Sequence, residues 1–142
     1  MNNRSQILSK GQVIDDKYTV TFFLKKGSYA ESYRVIDKEK KTKLLKLFSY
    51  SKLTRTQFDI NDDVLEIEIL KTLKHPNIVK LKDSGNLLLD NQKYAYAILD
   101  FISGETLADK MKRDQTFSQD DAKDIILGVS NGLNYLHNLE NP

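Results

Sequence analysis

Lys46 is the first residue of this sequence whose setting could support chemistry. It lies within the apolar run 44–48, and alternation along a strand would place it on one face with Leu44 and Phe48. If that face is the inner one, the ammonium group needs an anion, because an unpaired buried charge is costly. The alternative is that this face of the strand is solvated.

Glu66 is the candidate partner of this lysine. On a helical wheel it falls on the apolar stripe of residues 58–74, whereas Glu68 faces water. The stripe is formed by Ile69, Leu70 and Leu73. A buried glutamate and a buried lysine would neutralise each other, and the lysine would then be placed to take a phosphate. The alternative is an ion pair with a structural purpose only.

A turn of small residues around Gly27-Ser28 lies between the first two predicted strands. Its segment, residues 24–33, reads Leu-Lys-Lys-Gly-Ser-Tyr-Ala-Glu-Ser-Tyr. Such a turn lets backbone N–H groups approach phosphate oxygens, although an ordinary hairpin turn would have the same composition. A further apolar segment, residues 97–102, runs into Ser103-Gly104, where the alternative is an edge strand leading to a linker.

Five predicted strands and three predicted helices would position these residues. The strands are predicted at residues 18–24, 33–36, 44–48, 78–83 and 93–100, and a polar connection containing Gly85 and Asp90-Asn91 separates the last two. A helical period covers residues 58–74 and stops at His75-Pro76. This order predicts an α+β lobe, a five-stranded antiparallel sheet carrying one helix. Residues 1–16 are interpreted as a mobile leader or an edge strand.

Two helices are predicted beyond Gly104. The first covers about residues 107–113, and the second starts at Ser118, which can cap it, with Asp121 at its third position. The apolar positions of the second helix form one stripe. They are Ala122, Ile125, Ile126, Val129, Leu133 and Leu136.

Composition places the chain among ordinary globular domains. Its 142 residues are 39% hydrophobic and 30% charged, which argues against disordered and fibrous classes. No apolar run approaches the roughly 20 residues of a membrane helix, and residues 1–6 lack the apolar segment of a signal peptide. The absence of cysteine agrees with a reducing compartment. The 22 basic and 20 acidic residues nearly balance, so we expect a cytoplasmic protein without a nucleic-acid or membrane partner.

Together these residues resemble the eukaryotic-type protein kinase family over residues 18–142. The most specific match is segment 66–81, whose ending, His-Pro-Asn-Ile-Val-x-Leu, is similar to the family's passage from helix C to the fourth strand. The turn at Gly27 resembles the Gly-rich loop, and Lys46 matches the lysine of the V-A-I-K motif. Glu66 matches its partner on helix C, and residues 132–137, Gly-Leu-Asn-Tyr-Leu-His, look like the end of helix E.

The resemblance implies the ATP-binding portion of a serine/threonine-type kinase. Residues 18–101 would form the N-lobe, after a leader at 1–17 and before the hinge exit and helices D and E of an incomplete C-lobe at 102–142. Lys46 would hold the α- and β-phosphates, and Glu66 would orient it. Leu70 and Leu81 match the hydrophobic spine that holds helix C.

The resemblance also implies a set of nucleotide-binding residues. Residues 27–30 would cover the phosphates, Leu99 matches the gatekeeper, and Asp100 and Ile102 would meet adenine through backbone groups. Glu105 or Thr106 would reach the ribose. The full set is Leu24, Gly27, Ser28, Tyr29, Ala30, Ser32, Leu44, Lys46, Leu99, Asp100, Ile102 and Thr106.

The sequence departs from the family at the loop. Lys25 stands where the first glycine would be and restricts the turn, although its charge would offset phosphate repulsion; Ala30 replaces the third glycine. Ser32 replaces the adenine-facing valine, and Leu44 replaces the alanine of the lysine strand. These changes support an alternative function, a pseudokinase or scaffold lobe that acts through protein–protein interaction.

The sequence also lacks the family's later motifs. No H-R-D-x-x-x-x-N, D-F-G or A-P-E is present, and these supply the catalytic aspartate and the usual Mg²⁺ ligands. We therefore expect a truncated domain that does not transfer phosphate by itself, while the parent enzyme would use ATP, Mg²⁺ and a protein substrate. We also expect the apolar stripe of helix E to self-associate, fold back or fray, and a self-standing module that dimerises there is a further alternative. The self-association residues are Ile125, Ile126, Val129, Leu133 and Leu136.

Overall fold

The computed structural model describes residues 6–114 and 116–139. The chain divides into two compact units, Met1–Leu73 with Lys80–Phe101, and Lys74–Val79 with Ile102–Pro142. Within the described residues, every helix is too short or too polar to cross a membrane.

A six-stranded antiparallel sheet forms the first unit. Its strands are β1 (Val13–Ile14), β2 (Tyr18–Lys26), β3 (Ala30–Ile36), β4 (Thr42–Ser49), β5 (Leu81–Leu89) and β6 (Gln92–Asp100). The spatial order is β1-β2-β3-β4-β6-β5. The predicted α+β class and the antiparallel meander are confirmed. The predicted strand count of five is wrong by one, because Val13 and Ile14 pair with Thr19 and Tyr18 as an edge strand.

Gly85 lies inside β5 rather than in the predicted connection. A β-carbon at this position would meet the Tyr96 hydroxyl oxygen at 2.6 Å, so only glycine lets the Tyr96 ring lie against this backbone. The actual connection is the two-residue turn Asp90-Asn91, with φ angles of 48° and 61°. Positive φ at both central residues is typical of a type I′ hairpin, which matches the twist of the two strands. Strand β5 therefore starts and ends later than the predicted range 78–83.

The helix of the first unit, α1 (Leu65–Thr72), is shorter than the helical period of residues 58–74. Its predicted first turns form a loop, because the Asp59 carboxylate accepts hydrogen bonds from the amides of Asn61 (2.8 Å) and Asp63 (2.9 Å). Asp62 adopts a φ of 62°, which ends any helical path. Local capping by an aspartate thus competes successfully with the apolar period.

Different parts of the chain cover the two faces of the sheet. The front face is the face that carries Phe48, Ala95 and Ala97. These three residues form a buried cluster with Ile67 of α1 and with Val64, which precedes this helix. The opposite side is the back face, and its larger buried cluster includes residues of the N-terminal segment. This back-face cluster consists of Leu8, Ile14, Tyr18, Val20, Tyr33, Val35, Leu45, Leu47, Tyr96 and Ile98.

The N-terminal segment is tied to the back face by hydrogen bonds as well as by packing. The Tyr33 hydroxyl accepts from the amides of Ile7 (3.1 Å) and Leu8 (3.0 Å), and it donates to the Glu31 carboxylate. That carboxylate also accepts from the Ile7 amide at 2.9 Å. Burial, followed by the hydrogen bond to Glu31, raises the pKa of Tyr33 far above its usual value.

The second unit contains the helices α2 (Leu107–Arg113) and α3 (Gln119–His137). The predicted cap is confirmed, since the Ser118 hydroxyl accepts from the Asp121 amide at 3.1 Å. The loop before β5 packs on α3 within this unit: the Tyr135 hydroxyl accepts from the Lys74 amide at 2.9 Å. Gly132 lies at this contact, where a β-carbon would be at an ordinary van der Waals distance of 3.4 Å from the Asn77 carbonyl oxygen.

Candidate functional site

Lys46 and Glu66 form an ion pair in the first unit. Lys46 lies in β4, and its Nζ donates to Glu66 Oε1 of α1 at 2.6 Å. The side chains are 28% and 39% exposed, so the pair is accessible from solvent without being fully hydrated. The Lys46 ammonium also lies 5.1 Å from the centroid of the Phe48 ring. Alternation along β4 places Lys46 on the front face with Phe48.

The predicted placement of Glu66 on a buried helical stripe is wrong. Residues Val64 and Ile67 are the buried ones, whereas Ile69 is 48% exposed. Val64 and Ile67 are three residues apart, so they lie on the same side of α1, the side that packs against the sheet. The helix itself begins at Leu65, after the loop that Asp59 caps. Glu66 lies beside this buried side, which leaves its carboxylate half-exposed and within reach of Lys46.

Strand register aligns a short row of polar side chains on the front face. Ser32 of β3 is directly opposite Lys46, and Lys25 of β2 is directly opposite Ser32. On the other side of β4, Lys46 is opposite Ala97 of β6. Because directly opposed residues in an antiparallel pair project to the same face, these four side chains share the front face.

A cavity of about 250 Å³ lies at the end of this row, under the turn between β2 and β3. It brings together most of the predicted phosphate-side residues and one residue outside that set, Lys25. Its lining consists of Lys25, Gly27, Ser28, Tyr29, Ala30, Ser32 and Lys46. The lining therefore offers two ammonium groups and three hydroxyl groups, which are donors suited to an anion.

The turn over this cavity is tight and leaves backbone donors unused. The Gly27 amide donates to the Ala30 carbonyl at 2.8 Å, and a β-carbon on Gly27 would lie 3.2 Å from that oxygen. Within the part of the chain that the structure describes, the amides of Ser28 and Tyr29 make no hydrogen bond. Two adjacent free N–H groups at a turn can bind an anion.

The predicted adenine-side residues of the first unit lie on β2, β4 and β6. Leu44 is directly opposite Leu99, which is buried, and Leu24 is exposed at an irregularity of β2. The Asp100 carboxylate is engaged by the ammonium groups of Lys43 and Lys82, both at 3.6 Å. With its side chain paired in this way, Asp100 offers a ligand mainly its backbone groups.

The remaining predicted residues, Ile102 and Thr106, belong to the second unit. Ile102 is exposed. The Thr106 side chain caps α2 by accepting from the Asp109 amide at 3.1 Å, and its neighbour Glu105 pairs with Arg113 at 2.6 Å. The roles that the resemblance assigns to Ile102, Glu105 and Thr106 stay predictions.

Sequence reasoning left Lys25 out of the site. It identified this lysine as a replacement for the first glycine of the loop, with a charge that would offset phosphate repulsion, and did not include it in the nucleotide-binding set. In a regular strand Lys25 would share the back face with Phe23, and the register shift between these two residues turns Lys25 to the front face instead. A single sequence carries no clear signal for such a bulge in the middle of an apolar strand.

A metal site is not evident in the described ranges 6–114 and 116–139. No three His, Cys, Asp or Glu side chains in these ranges are grouped so that they could hold an ion.

Comparison with known proteins agrees with this geometry. The protein kinase domain family matches residues 18–140 of the chain. The chain therefore belongs to the protein kinase family.

Several similar proteins are kinases by name, and two of those described here are serine/threonine-protein kinases by name. Probable serine/threonine-protein kinase fhkD of Dictyostelium discoideum is 27% identical over 130 residues, 89% of this chain and 16% of that protein. Ribosomal protein S6 kinase alpha-1 of Homo sapiens is 31% identical over 134 residues, 93% of this chain and 17% of that protein. Probable serine/threonine-protein kinase PknB of Bifidobacterium longum is 32% identical over 90 residues, 56% of this chain and 13% of that protein. The chain thus spans only a small part of the length of these relatives.

Proposed function

We propose that this chain carries the ATP-binding lobe of a serine/threonine-type protein kinase, and that the phosphates of ATP bind in the front-face cavity beside Lys46. The observation that carries the proposal is the 2.6 Å ion pair between Lys46 and Glu66 at the edge of a cavity lined by hydroxyl and backbone donors. A structural ion pair alone would not require a cavity of this kind next to its cation.

The division of labour within the pair follows from its chemistry. An ammonium group has three donor hydrogens, and Glu66 takes one of them. The carboxylate therefore fixes the direction of Lys46 while leaving two hydrogens for phosphate oxygens. The hydroxyls of Ser28 and Ser32 and the free amides of the turn would add neutral donors around the same oxygens.

Adenine would lie along the front face beyond Lys46. Leu44 shares that face, because it lies two residues from Lys46 on β4 and opposite Leu99. Leu24 would contribute apolar surface from β2, and Asp100 would contribute backbone groups. In this arrangement Leu44, larger than the alanine of the family pattern, would narrow the base site.

We further propose that these 142 residues bind ATP without transferring its phosphate. Their sequence contains no H-R-D or D-F-G motif, and their described part offers no set of metal ligands. Binding needs only the cavity and its donors, whereas transfer also needs a positioned acceptor and bound metal ions. The proposed function of these residues is therefore ATP binding, in which Mg²⁺ has no assigned role.

Properties of the whole enzyme are part of the same proposal. Phosphorylation of a protein substrate, a cytoplasmic location, and the division into a leader (1–17), N-lobe (18–101) and C-lobe portion (102–142) rest on family membership. The names of two similar proteins, both probable serine/threonine-protein kinases, support a serine/threonine-type activity.

Calorimetric titration with ATP tests the proposal. We expect saturable binding by the unmodified chain and at least about tenfold weaker binding by Lys46→Ala, because a charge-assisted contact is lost. Lys41→Ala is the matched control, since the Lys41 side chain is exposed and pairs with the exposed Glu39 at 3.7 Å. Absence of ATP binding by a folded chain would overturn the proposal and favour the scaffold alternative.

We also propose that the exposed face of α3 self-associates. Ile126, Val129, Leu133 and Leu136 are exposed, and contiguous exposed apolar surface commonly marks an interaction site. Ile125, the fifth predicted residue, is less exposed. Sedimentation across a concentration series should show a dimer that Val129→Glu abolishes. A monomer at every concentration would exclude this role.

A further inference from the structure

A bulge in β2 brings a second cation to the cavity of Lys46. We propose that Lys25 binds the phosphate groups of the nucleotide together with Lys46, so that the site uses two lysines. This inference rests on the proposed function and adds a specificity-determining residue to it.

The register of β2 and β3 shows how Lys25 reaches the front face. Phe23 is opposite Tyr33 on the back face, and the centroids of the two rings are 5.5 Å apart. The next paired residues are Lys25 and Ser32, with Leu24 accommodated as the extra residue of β2. In a regular strand, residues 23 and 25 would share a face, and the bulge alone separates them.

The same register places the two lysines at a useful spacing. Lys25, Ser32 and Lys46 occupy directly opposed positions on three neighbouring strands. Strands lie about 4.8 Å apart, so the two lysine backbones are separated by about 10 Å. Each side chain is long enough to reach the space between them, and both line the same cavity of about 250 Å³. A chain of phosphate groups can contact both ammonium groups at this spacing.

The charge of the cavity favours the same ligand. Lys46 is balanced by Glu66, whereas Lys25 has no ion-pair partner among the described side chains. No acidic residue lines the cavity, and its other polar side chains are the hydroxyls of Ser28, Tyr29 and Ser32. The cavity is therefore cationic, and its unbalanced charge comes from Lys25. A ligand with several negative charges neutralises it better than an uncharged one does.

Lys26 provides a natural comparison for this role. It follows Lys25 directly but is opposite Glu31, whose buried side chain belongs to the back face. Lys26 does not line the cavity. The two lysines are chemically identical neighbours on one strand, and they differ in the face to which they project.

Titrations of the full 142-residue chain with ATP, AMP and adenosine test the inference. Lys25→Gln should bind ATP about tenfold more weakly than the unmodified chain, AMP with a smaller loss, and adenosine unchanged. Lys25→Arg should restore most of the ATP affinity. The ATP affinity of Lys26→Gln should stay within about twofold of that of the unmodified chain, because the exposed Lys26 side chain projects to the other face of the sheet and its charge is screened by salt.

The outcomes separate this inference from the function on which it rests. Unchanged ATP affinity in Lys25→Gln, or an equal loss in Lys26→Gln, would overturn the role of Lys25 while leaving that of Lys46 intact. An equal loss for adenosine would also overturn it, because the effect would then lie outside the phosphates. If the unmodified chain binds no ATP, the proposed function itself is wrong. Denaturant unfolding of each variant verifies that its fold is intact.

Discussion

The two faces of the sheet use the same kinds of side chain in opposite ways. On the back face, Glu31 is 3% exposed and accepts from both the Tyr33 hydroxyl and the Ile7 amide. On the front face, Glu66 is 39% exposed and its hydrogen bond is to one flexible lysine. The back-face carboxylate is thus part of a closed network, whereas the front-face carboxylate holds a cation that keeps donors for a further partner.

Aromatic residues show the same contrast. Three tyrosines associated with the back face, Tyr18, Tyr33 and Tyr96, each donate to a carboxylate, and burial together with these bonds raises the pKa of each one. On the front face, the Tyr29 hydroxyl makes no hydrogen bond to any described residue and lines the cavity. We infer that the back face supplies the stability and the front face the binding capacity of this lobe.

The largest expected effect comes from Leu8→Ala on the back face. Leu8 is fully buried, so its truncation should lower the free energy of unfolding by about 2–5 kcal/mol. Ile69→Ala on the front-face helix should cost less than about 1 kcal/mol, because Ile69 is already 48% exposed in the folded chain. Urea unfolding measures both. Equal losses would remove the difference between the faces.

Gly85→Ala should be the next most damaging change. The added β-carbon would lie 2.7 Å from ring atoms of Tyr96, which is held by its 2.5 Å hydrogen bond to Asp15. We expect a loss of about 3 kcal/mol in unfolding free energy. Gly128→Ala in α3 is the control, since its β-carbon would meet only a side-chain nitrogen of Asn77 at 3.4 Å. A tolerated Gly85→Ala would show that the Tyr96 ring is free to move.

Removing one hydroxyl from each face sharpens the comparison further. Tyr33→Phe should cost about 2 kcal/mol, because it leaves the Leu8 amide without a partner and removes one of the two hydrogen bonds that the buried Glu31 carboxylate accepts. Tyr29→Phe, the same change on the front face, should alter stability by less than about 0.5 kcal/mol. Thermal and urea unfolding report both values, and a similar cost for the two would contradict the closed back-face network.

The smallest expected effect is a pH dependence. Burial would raise the pKa of Asp83, but hydrogen bonds from the Tyr18 hydroxyl, the Ser84 amide and Lys17 outweigh it and lower this pKa below its usual value. A lowered folded-state pKa stabilises the fold above the ordinary Asp pKa of about 4, and this contribution disappears as the pH falls through the folded-state value.

Tyr18→Phe tests this linkage, because it removes the 2.6 Å hydrogen bond that helps to lower the Asp83 pKa. Unfolding free energies measured between about pH 5 and pH 2 should fall less steeply in the variant, by about 1 kcal/mol over the range. Identical slopes would show that Tyr18 does not stabilise the ionised carboxylate.

Local signals were enough for much of the fold. Alternation and turn residues predicted a strand at 93–100, close to the observed Gln92–Asp100, and the cap at Ser118 follows from side-chain chemistry within one turn. The shifted β5 was missed for a different reason, because it depends on the fit of Gly85 against Tyr96, a residue of another strand. The shortened α1 depends on the local capping of a loop by Asp59, which the apolar period of residues 58–74 concealed.

The candidate site likewise contains residues that the sequence predicts and a residue that it does not. Lys46 and Glu66 stand out because each is a charge among apolar residues, and the structure brings them together. Lys25 does not stand out, since its orientation depends on a bulge that only the pairing of β2 with β3 reveals. The burial of Leu8 could not be predicted from the sequence either. Ile7 and Leu8 are a short apolar pair in a polar segment, and the sequence does not show that the Leu8 amide donates to the Tyr33 hydroxyl.

Amide chemical-shift mapping with ATP tests the central claim most directly. On addition of ATP, we expect the largest shifts at Ser28, Ser32 and Lys46 on the front face, and unchanged positions for Leu8 and Val35 on the back face. Lys46→Ala should abolish the front-face shifts while leaving the back-face signals where they are. Shifts centred on the back face, or none at saturating ATP, would contradict the assignment of binding to the front face.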